Sequence, residues 1–510
     1  MRKYKSIGWL LITNEILQDE KPHPAFIFII TIIISSFSFS AFSQKQNNIW
    51  CFGDSAGIDF NNLLNPVTFS NTLDSRGSCV SIADTNGNLL FYANTRAGLP
   101  GKTTLIYNKD HQLIQNGDSI YGSGWYNELL ILPFPGSSII YYLFSLGVTS
   151  SHGLFYSIID LSFNGGLGKV VQKNVELQTY DAWDAMAAIR HANGRDWWLI
   201  TKDYDNSSGN KTFHVNLITP YGIKDSVQSI GANEYGGLGN MSFSKNGDKF
   251  LFTSYNGLIE VMDFDRCAGI LSNSVVIENN TGDPNYWGSA FSQNGNVLYV
   301  SRSDTTSYLY QYDLSASNIP ASRLTLSTIS HPRIAGGALR LAPDNKIYWT
   351  CAWTNGITFN YPYQDTMYHT ENMNLSVIND PDVVGMGCNF SLYNFNLGGK
   401  RTYWGLPNNP DYSLGSISGS ACDSITNNIQ EITSYKISIS PNPFIDYISV
   451  QSEFIINKII IEDLNGKIIT SEKINATQFR INVKDVASGI YFIKCINGEN
   501  ETIKKIVKLN

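Results

Sequence analysis

From about residue 77 onward, apolar and polar positions alternate in short runs, each broken by a tight polar turn. A period of two puts every second side chain on one face, the signature of β-strands rather than helices. One arrangement, a short strand, a turn and an aromatic-rich strand, returns as VSIADTNGNLLFYAN, LLILPFPGSSIIYYLFS, AAIRHANGRDWWLIT, MSFSKNGDKFLFTS, SAFSQNGNVLYVSR and ALRLAPDNKIYWTC. Aligned on Gly87, Gly136, Gly194, Gly247, Gly295 and Asn345, the copies stand 49, 58, 53, 48 and 50 residues apart. Asn-Gly at such a turn supplies the positive φ angles a hairpin needs. Further strand-like runs, GLIEVMDFDRCAG and SYLYQYDLSAS, follow two of the turns, so four strands fit each repeat.

Four antiparallel strands in roughly 50 residues make one blade of a β-propeller. Small residues in GGLGN (Gly236–Asn240), WGSA (Trp287–Ala290) and AGGA (Ala335–Ala338) suit innermost strands crowded around a channel. The copies run from Gly77 to Asn379, leaving NNIWCFGDSAGIDF (47–60) and GCNFSLYNF (387–395) at the two ends. These ends complete one more blade, with the strand at Ile49–Phe52 pairing with the region of Gly387–Phe395 so that no edge stays open. Seven blades are therefore preferred over six. The chain is all-β, with the propeller over residues 44–400.

Residues 401–433, rich in Gly, Asn and Ser and without periodicity, are read as a linker. Alternation resumes over residues 434–510 in YISVQSE, KIIIEDLNGKIITSEK, QFRINVKDVASGIYFIKCING and ETIKKIVKLN, predicting about seven short strands of a small Ig-like β-sandwich. Pro441 and Pro443 cannot donate to a ladder, so they should interrupt the entering edge strand.

At the other terminus, PAFIFIITIIISSFSFSAFSQ (24–44) is an apolar run that decays into small residues, and residues 1–43 read as a secretory signal segment. A membrane anchor is the competing reading; Ser35, Ser36, Ser38 and Ser40 weaken it. The seven cysteines show no spacing typical of a zinc site or an obvious bridge, and their odd number leaves at least one unpaired. A net charge of −7 with no basic cluster excludes a nucleic-acid partner.

IWCFGDSAGIDF, GSCVSIADTNGNLLFYA, NGRDWWLIT, FSKNGDKFLF and FDRCAG resemble a family of secreted bacterial propeller proteins, although Cys51 stands where an aromatic residue is expected. SPNPF, LNGKII, SGIYFIKC and KKIVKLN resemble the type A C-terminal sorting domain of the type IX secretion system. Pro441, Asn442, Pro443, Gly466, Lys467, Gly489, Tyr491 and Lys505 match its motif. The resemblance implies a Gram-negative bacterium, export through the periplasm by the type IX machinery, and a final place on the outer surface or in the medium.

No HExxH, Walker loop, GxSxG or CxxC motif occurs, and neither cofactor nor metal is expected. His191 reads as a turn residue, and ADTNGN as a hairpin, because Thr95 stands where a calcium loop needs a bidentate Glu. Trp125, Trp183 and Tyr235, eleven or twelve residues before the aligned turns, and Tyr286 and Trp287, eight or nine before theirs, are placed at one channel mouth. Glu128, Asp184 and Arg333, with Asp181, Glu234 and Asp283, supply polar groups nearby. Aromatic faces with carboxylates suit sugar rings. The expected function is a non-enzymatic binding or adhesion module for glycan or protein; the alternative is an extracellular hydrolase or lyase acting on a polymer.

Overall fold

The computed structural model describes residues 44–96, 103–149, 153–205, 209–280, 285–331, 333–353, 368–423, 437–463, 466–497 and 500–509. The signal segment 1–43, residues 424–433 of the expected linker and Asp283 lie outside them. The chain divides into two compact units at Gly415/Ser416. No helix among the described residues is long and apolar enough to cross a membrane.

In the first unit seven antiparallel sheets follow one another along the chain, and these are the blades of a propeller. Their innermost strands are Ile49–Phe52, Cys79–Ala83, Leu129–Pro133, Ala182–Arg190, Gly239–Phe243, Tyr286–Phe291 and Ile334–Leu341. All six aligned turn positions, from Gly87 (φ +91°) to Asn345 (φ +63°), are left-handed and connect the first strand of a blade to its second. At Gly247 the demand is double: φ is +75°, and a Cβ would come within 2.4 Å of Ile189 Cδ1 in the neighbouring blade. The polar residues of that turn hold it shut, Ser244 Oγ donating to Asp248 at 2.7 Å and accepting from the Lys249 amide at 3.0 Å.

Ring closure differs from the sequence expectation. Ile49–Phe52 pairs with Asp54–Asp59, whereas Phe390–Asn396 pairs with Asn374–Ile378, so the two chain ends lie in separate sheets. Each blade is contiguous in sequence, and the ring closes through side chains and a backbone bridge between Asp54 and Arg401. Trp50 and Phe60 of the first blade pack edge-on against Tyr348 of the seventh, with centroids 6.0 and 5.7 Å apart. Blades one and two also have three strands rather than four. In blade two, residues 113–120 touch the third strand only through isolated bridges, because His111, Asn116 and Ser119 take positive φ and break the ladder.

The sequence assigns 401–415 to a linker, but this stretch belongs to the first unit and runs along the channel. Asn408 makes its place clear. Its amide donates to the carbonyls of Leu129 (3.1 Å) and Met186 (3.0 Å), its Oδ1 accepts from Arg340 at 2.6 Å, and its backbone N–H donates to Cys79 at 2.9 Å. Those partners are the innermost strands of blades three, four, seven and two, which face one another across the ring. Trp404 lies near the end where these strands enter, accepting from Ala338 at 2.7 Å. Tyr412 lies toward the other end, donating to Ile131 at 2.9 Å.

The second unit contains five described strands rather than seven. Bulges let Tyr447–Glu462 and Ile468–Asn482 run on where turns were expected. The first half of Tyr447–Glu462 pairs with Ile437–Ser440 and the second half with Gly489–Asn497, around a core that includes Phe444, Tyr491 and Ile493. Asn442 explains the flanking prolines. Its side chain donates to Lys505 O and accepts from the Val507 amide, both at 2.9 Å, clipping the entering segment to the last strand where Pro441 and Pro443 cannot. Gly466 takes φ +76° at its turn. Gly489 is absent from the positive-φ positions and simply opens a strand.

Among the cysteines, Cys51, Cys79, Cys351, Cys388 and Cys495 are buried free thiols, and Cys267 and Cys422 are disulfide-bonded.

Candidate functional site

An aromatic cluster stands at the end of the channel where the innermost strands begin. Trp287 stands at its centre, half-buried, with Tyr126 edge-on at 4.5 Å, Trp404 tilted at 5.6 Å and Tyr255 at 5.9 Å. The Arg76 guanidinium lies 4.7 Å above Tyr126 and 5.6 Å from the Trp404 ring. Trp287 is part of the sequence expectation. Tyr126, Tyr255, Trp404 and Arg76 are not: Tyr126 sits one residue beyond the aligned Trp125, and Trp404 comes from the stretch read as linker.

The other predicted residues separate. Trp183 is 1% exposed and packs edge-on against Phe252 between blades four and five, so it offers no ring face to a ligand. Its offset places it inside the strand Ala182–Arg190 instead of in the loop before it. Tyr286 is buried among blade-five and blade-six side chains, and burial pushes its hydroxyl up to about 12. Trp125 is half-buried against the core shared by blades two, three and four. Tyr235 is half exposed, and its carbonyl accepts from Asn256. Arg333 is exposed, its amide donating to the His331 ring.

Two of the carboxylates expected at the mouth, Glu128 and Asp184, are consumed internally. Glu128 is fully buried and accepts the amides of Ser123 and Gly124, both at 2.9 Å. Asp184, equally buried, accepts those of Tyr126 and Asn127 at 2.8 Å, fastening the aromatic loop of blade three onto blade four. Burial pushes both acids up, opposed by those same amides; the nearby Glu128 charge raises Asp184 further, and Arg76 counters it. Glu234 accepts from Ser254 at 2.8 Å, and the Asp181 carbonyl accepts the Tyr204 amide.

His191 is a turn residue, as read: its Nδ1 accepts the Asn193 amide and its Nε2 meets the Cys267 carbonyl at 3.0 Å. Asp84 spends its carboxylate on Asn86 and Asn88 within the ADTNGN hairpin. Elsewhere, His214 looks chemically active but has no nitrogen to spare, with Nε2 on Asp203 and Nδ1 on Asp225, each at 2.9 Å. No group of three or more metal-binding side chains forms among the described residues.

Comparison with known proteins decides the second unit. Residues 438–509 match the family of secretion system C-terminal sorting domains. This unit is a type IX sorting domain. It directs the chain to the type IX machinery, and so to the outer cell surface or the medium. No curated protein matches the chain. Solved structures similar to it include a candidate 6-phosphogluconolactonase of Bacteroides uniformis, at 12% identity over 70% of this chain and 98% of that one, with a TM-score of 0.44. PorZ, a surface component of the type IX system of Porphyromonas gingivalis, is 11% identical over 91% of this chain and 69% of its own, with a TM-score of 0.34. The β-propeller domain of Cps50 (Swd1) from Myceliophteria thermophila is 13% identical over 65% and 88%, with a TM-score of 0.36.

Proposed function

We propose that the propeller is a binding module without catalytic activity, carried out of the cell by its sorting domain, and that it engages glycan or protein through the aromatic cluster around Trp287. One observation carries this reading: Glu128 and Asp184, two of the acids expected beside the mouth, are buried and accept backbone amides, leaving neither to protonate or attack a substrate. The half-buried rings of Trp287 and Trp404 supply the apolar faces on which a sugar ring or an apolar side chain stacks.

A glycan array probed with the mature protein, followed by a turnover assay on every hit, tests the proposal. Binding that weakens in Trp287→Ala, with no product formed, supports it. Turnover lost in Glu128→Gln or Asp184→Asn, with the fold intact, would establish the hydrolase or lyase alternative.

A further inference from the structure

At the end of the ring opposite the aromatic cluster, where the aligned turns lie, large apolar side chains stand out at the tips. Leu64 is 98% exposed, Tyr221 85% and Met386 68%, and Val384, Ile270 and Phe163 are about half exposed. Leu64 belongs to blade one, Phe163 to three, Tyr221 to four, Ile270 to five, and Val384 and Met386 to seven. Hydrogen bonds to the aligned turns fix these tips at this end. Asn61, in the loop of Leu64, donates to the Gly87 carbonyl at 2.8 Å, and Leu161, two residues before Phe163, donates to Ile139 at 2.8 Å. Ala192 donates to Arg266, just before Ile270, at 3.0 Å, and Asn294 donates to Asp382, in the loop of Val384 and Met386, at 2.8 Å. Tyr221 follows Ile218, which pairs with Trp197 just past the turn at Gly194.

Polar contacts, not these side chains, shape the loops that carry the most exposed tips. Asn62 closes the first by accepting the amides of Leu64 and Asn65. Thr219 Oγ1 accepts the Tyr221 amide at 3.1 Å. Gln311 of blade six grips the main chain on both sides of Val384, donating to Val383 O at 3.0 Å and accepting from the Gly385 amide at 2.6 Å. Turn tips are ordinarily Gly, Pro, Asn, Asp or Ser, so Leu, Val and Met raised on polar turns point to a partner outside the protein.

Polar turns such as Asn246-Gly247-Asp248 and Asn294-Gly295-Asn296 set the tips apart, so they form no continuous patch of the kind a rigid protein partner buries. What the tips share is one end of a ring. A fluid lipid surface accepts separate apolar tips along one plane whatever their spacing. The sorting domain takes the chain to the outer cell surface or the medium, within reach of such a surface. Charges near the tips are of both signs, Lys224 beyond Tyr221 and Asp380 and Asp382 before Val384, which favours electroneutral headgroups over anionic ones. We propose that this end of the propeller docks on a lipid surface of electroneutral headgroups, with Leu64, Tyr221, Val384 and Met386 sinking among them. The aromatic cluster, at the other end, then faces away from that surface.

Flotation of the mature protein with phosphatidylcholine vesicles tests this. Binding that rises with lipid concentration and withstands added salt is expected, since apolar burial drives it. Leu64→Ser combined with Met386→Ser should lower the partition coefficient at least tenfold at an unchanged melting temperature, because both side chains are exposed. Tyr221→Ser, in another blade, should lower it several-fold and decides if the double variant fails to fold. No binding to phosphatidylcholine vesicles, binding that requires phosphatidylglycerol and vanishes in salt, or wild-type partition in these variants overturns the proposal. So does a dimer in lipid-free solution that the double variant dissociates, which would assign the face to a second copy of the chain.

Discussion

The side-chain amide of Asn408 donates to the main-chain carbonyl of Met186 at 3.0 Å, joining residues 222 positions apart at the axis of the ring. The same side chain also serves Leu129 and Arg340. Asn408→Ala should therefore strand two carbonyls and a guanidinium at once. At about 1 to 3 kcal/mol for each buried group left unsatisfied, the loss of stability should be about 3 kcal/mol or more, read as a fall in denaturation midpoint. Asn408→Asp, which keeps the acceptor for Arg340 but loses the donors, should recover part of it.

Truncation separates the two roles of the C-terminal region. A chain ending at residue 433 should keep a folded propeller of unchanged melting temperature but accumulate inside the outer membrane, since it lacks the sorting domain. One ending at residue 400 should melt markedly lower, because the strap bonds to four blades. Cell fractionation reads the first effect and thermal unfolding the second.

Two tryptophans should give opposite phenotypes. Trp183→Ala opens a cavity between blades and should cost about 3 to 5 kcal/mol of stability while leaving ligand affinity alone. Trp287→Ala should leave the melting temperature nearly unchanged and weaken binding by about 1 to 3 kcal/mol, the loss of a stacking anchor. Parallel melting and binding curves distinguish them.

His214 makes stability depend on pH. Burial opposes its charge, but the hydrogen bonds to Asp203 and Asp225 prevail and raise it to about 9 from an unperturbed 6.5. A group whose folded value is raised stabilises fully below the unfolded value and loses that contribution as pH climbs through the folded one. The difference in melting temperature between the wild type and His214→Gln should be largest below pH 6.5 and shrink toward pH 9 and above.

What the sequence discloses and what it hides divide along physical lines. Turn residues such as Gly247 and Asn345 are legible because left-handed backbone is a local requirement that few residues meet. Trp183 misleads because loop lengths vary between blades, so a constant offset from the turn lands inside a strand in one blade and in a loop in another. The third strand's unpaired neighbour in blade two and the two long strands of the sorting domain depend on positive-φ breaks and bulges that leave no periodic trace. The strap is the least legible element. A peptide running along a channel has neither face nor period, and its Asn and Pro content is that of a linker.

That strap also orders the events of unfolding. Blades of an ordinary ring can peel away at whichever seam is weakest, but here the inner strands of blades two, three, four and seven share one peptide at their common axis. No seam between those blades can part widely while Asn408 holds both sides. The first large-scale opening is then expected to be withdrawal of residues 401–415, a sub-global step whose free energy sets the protection of amides on the inner strands of those four blades at once, rather than blade by blade.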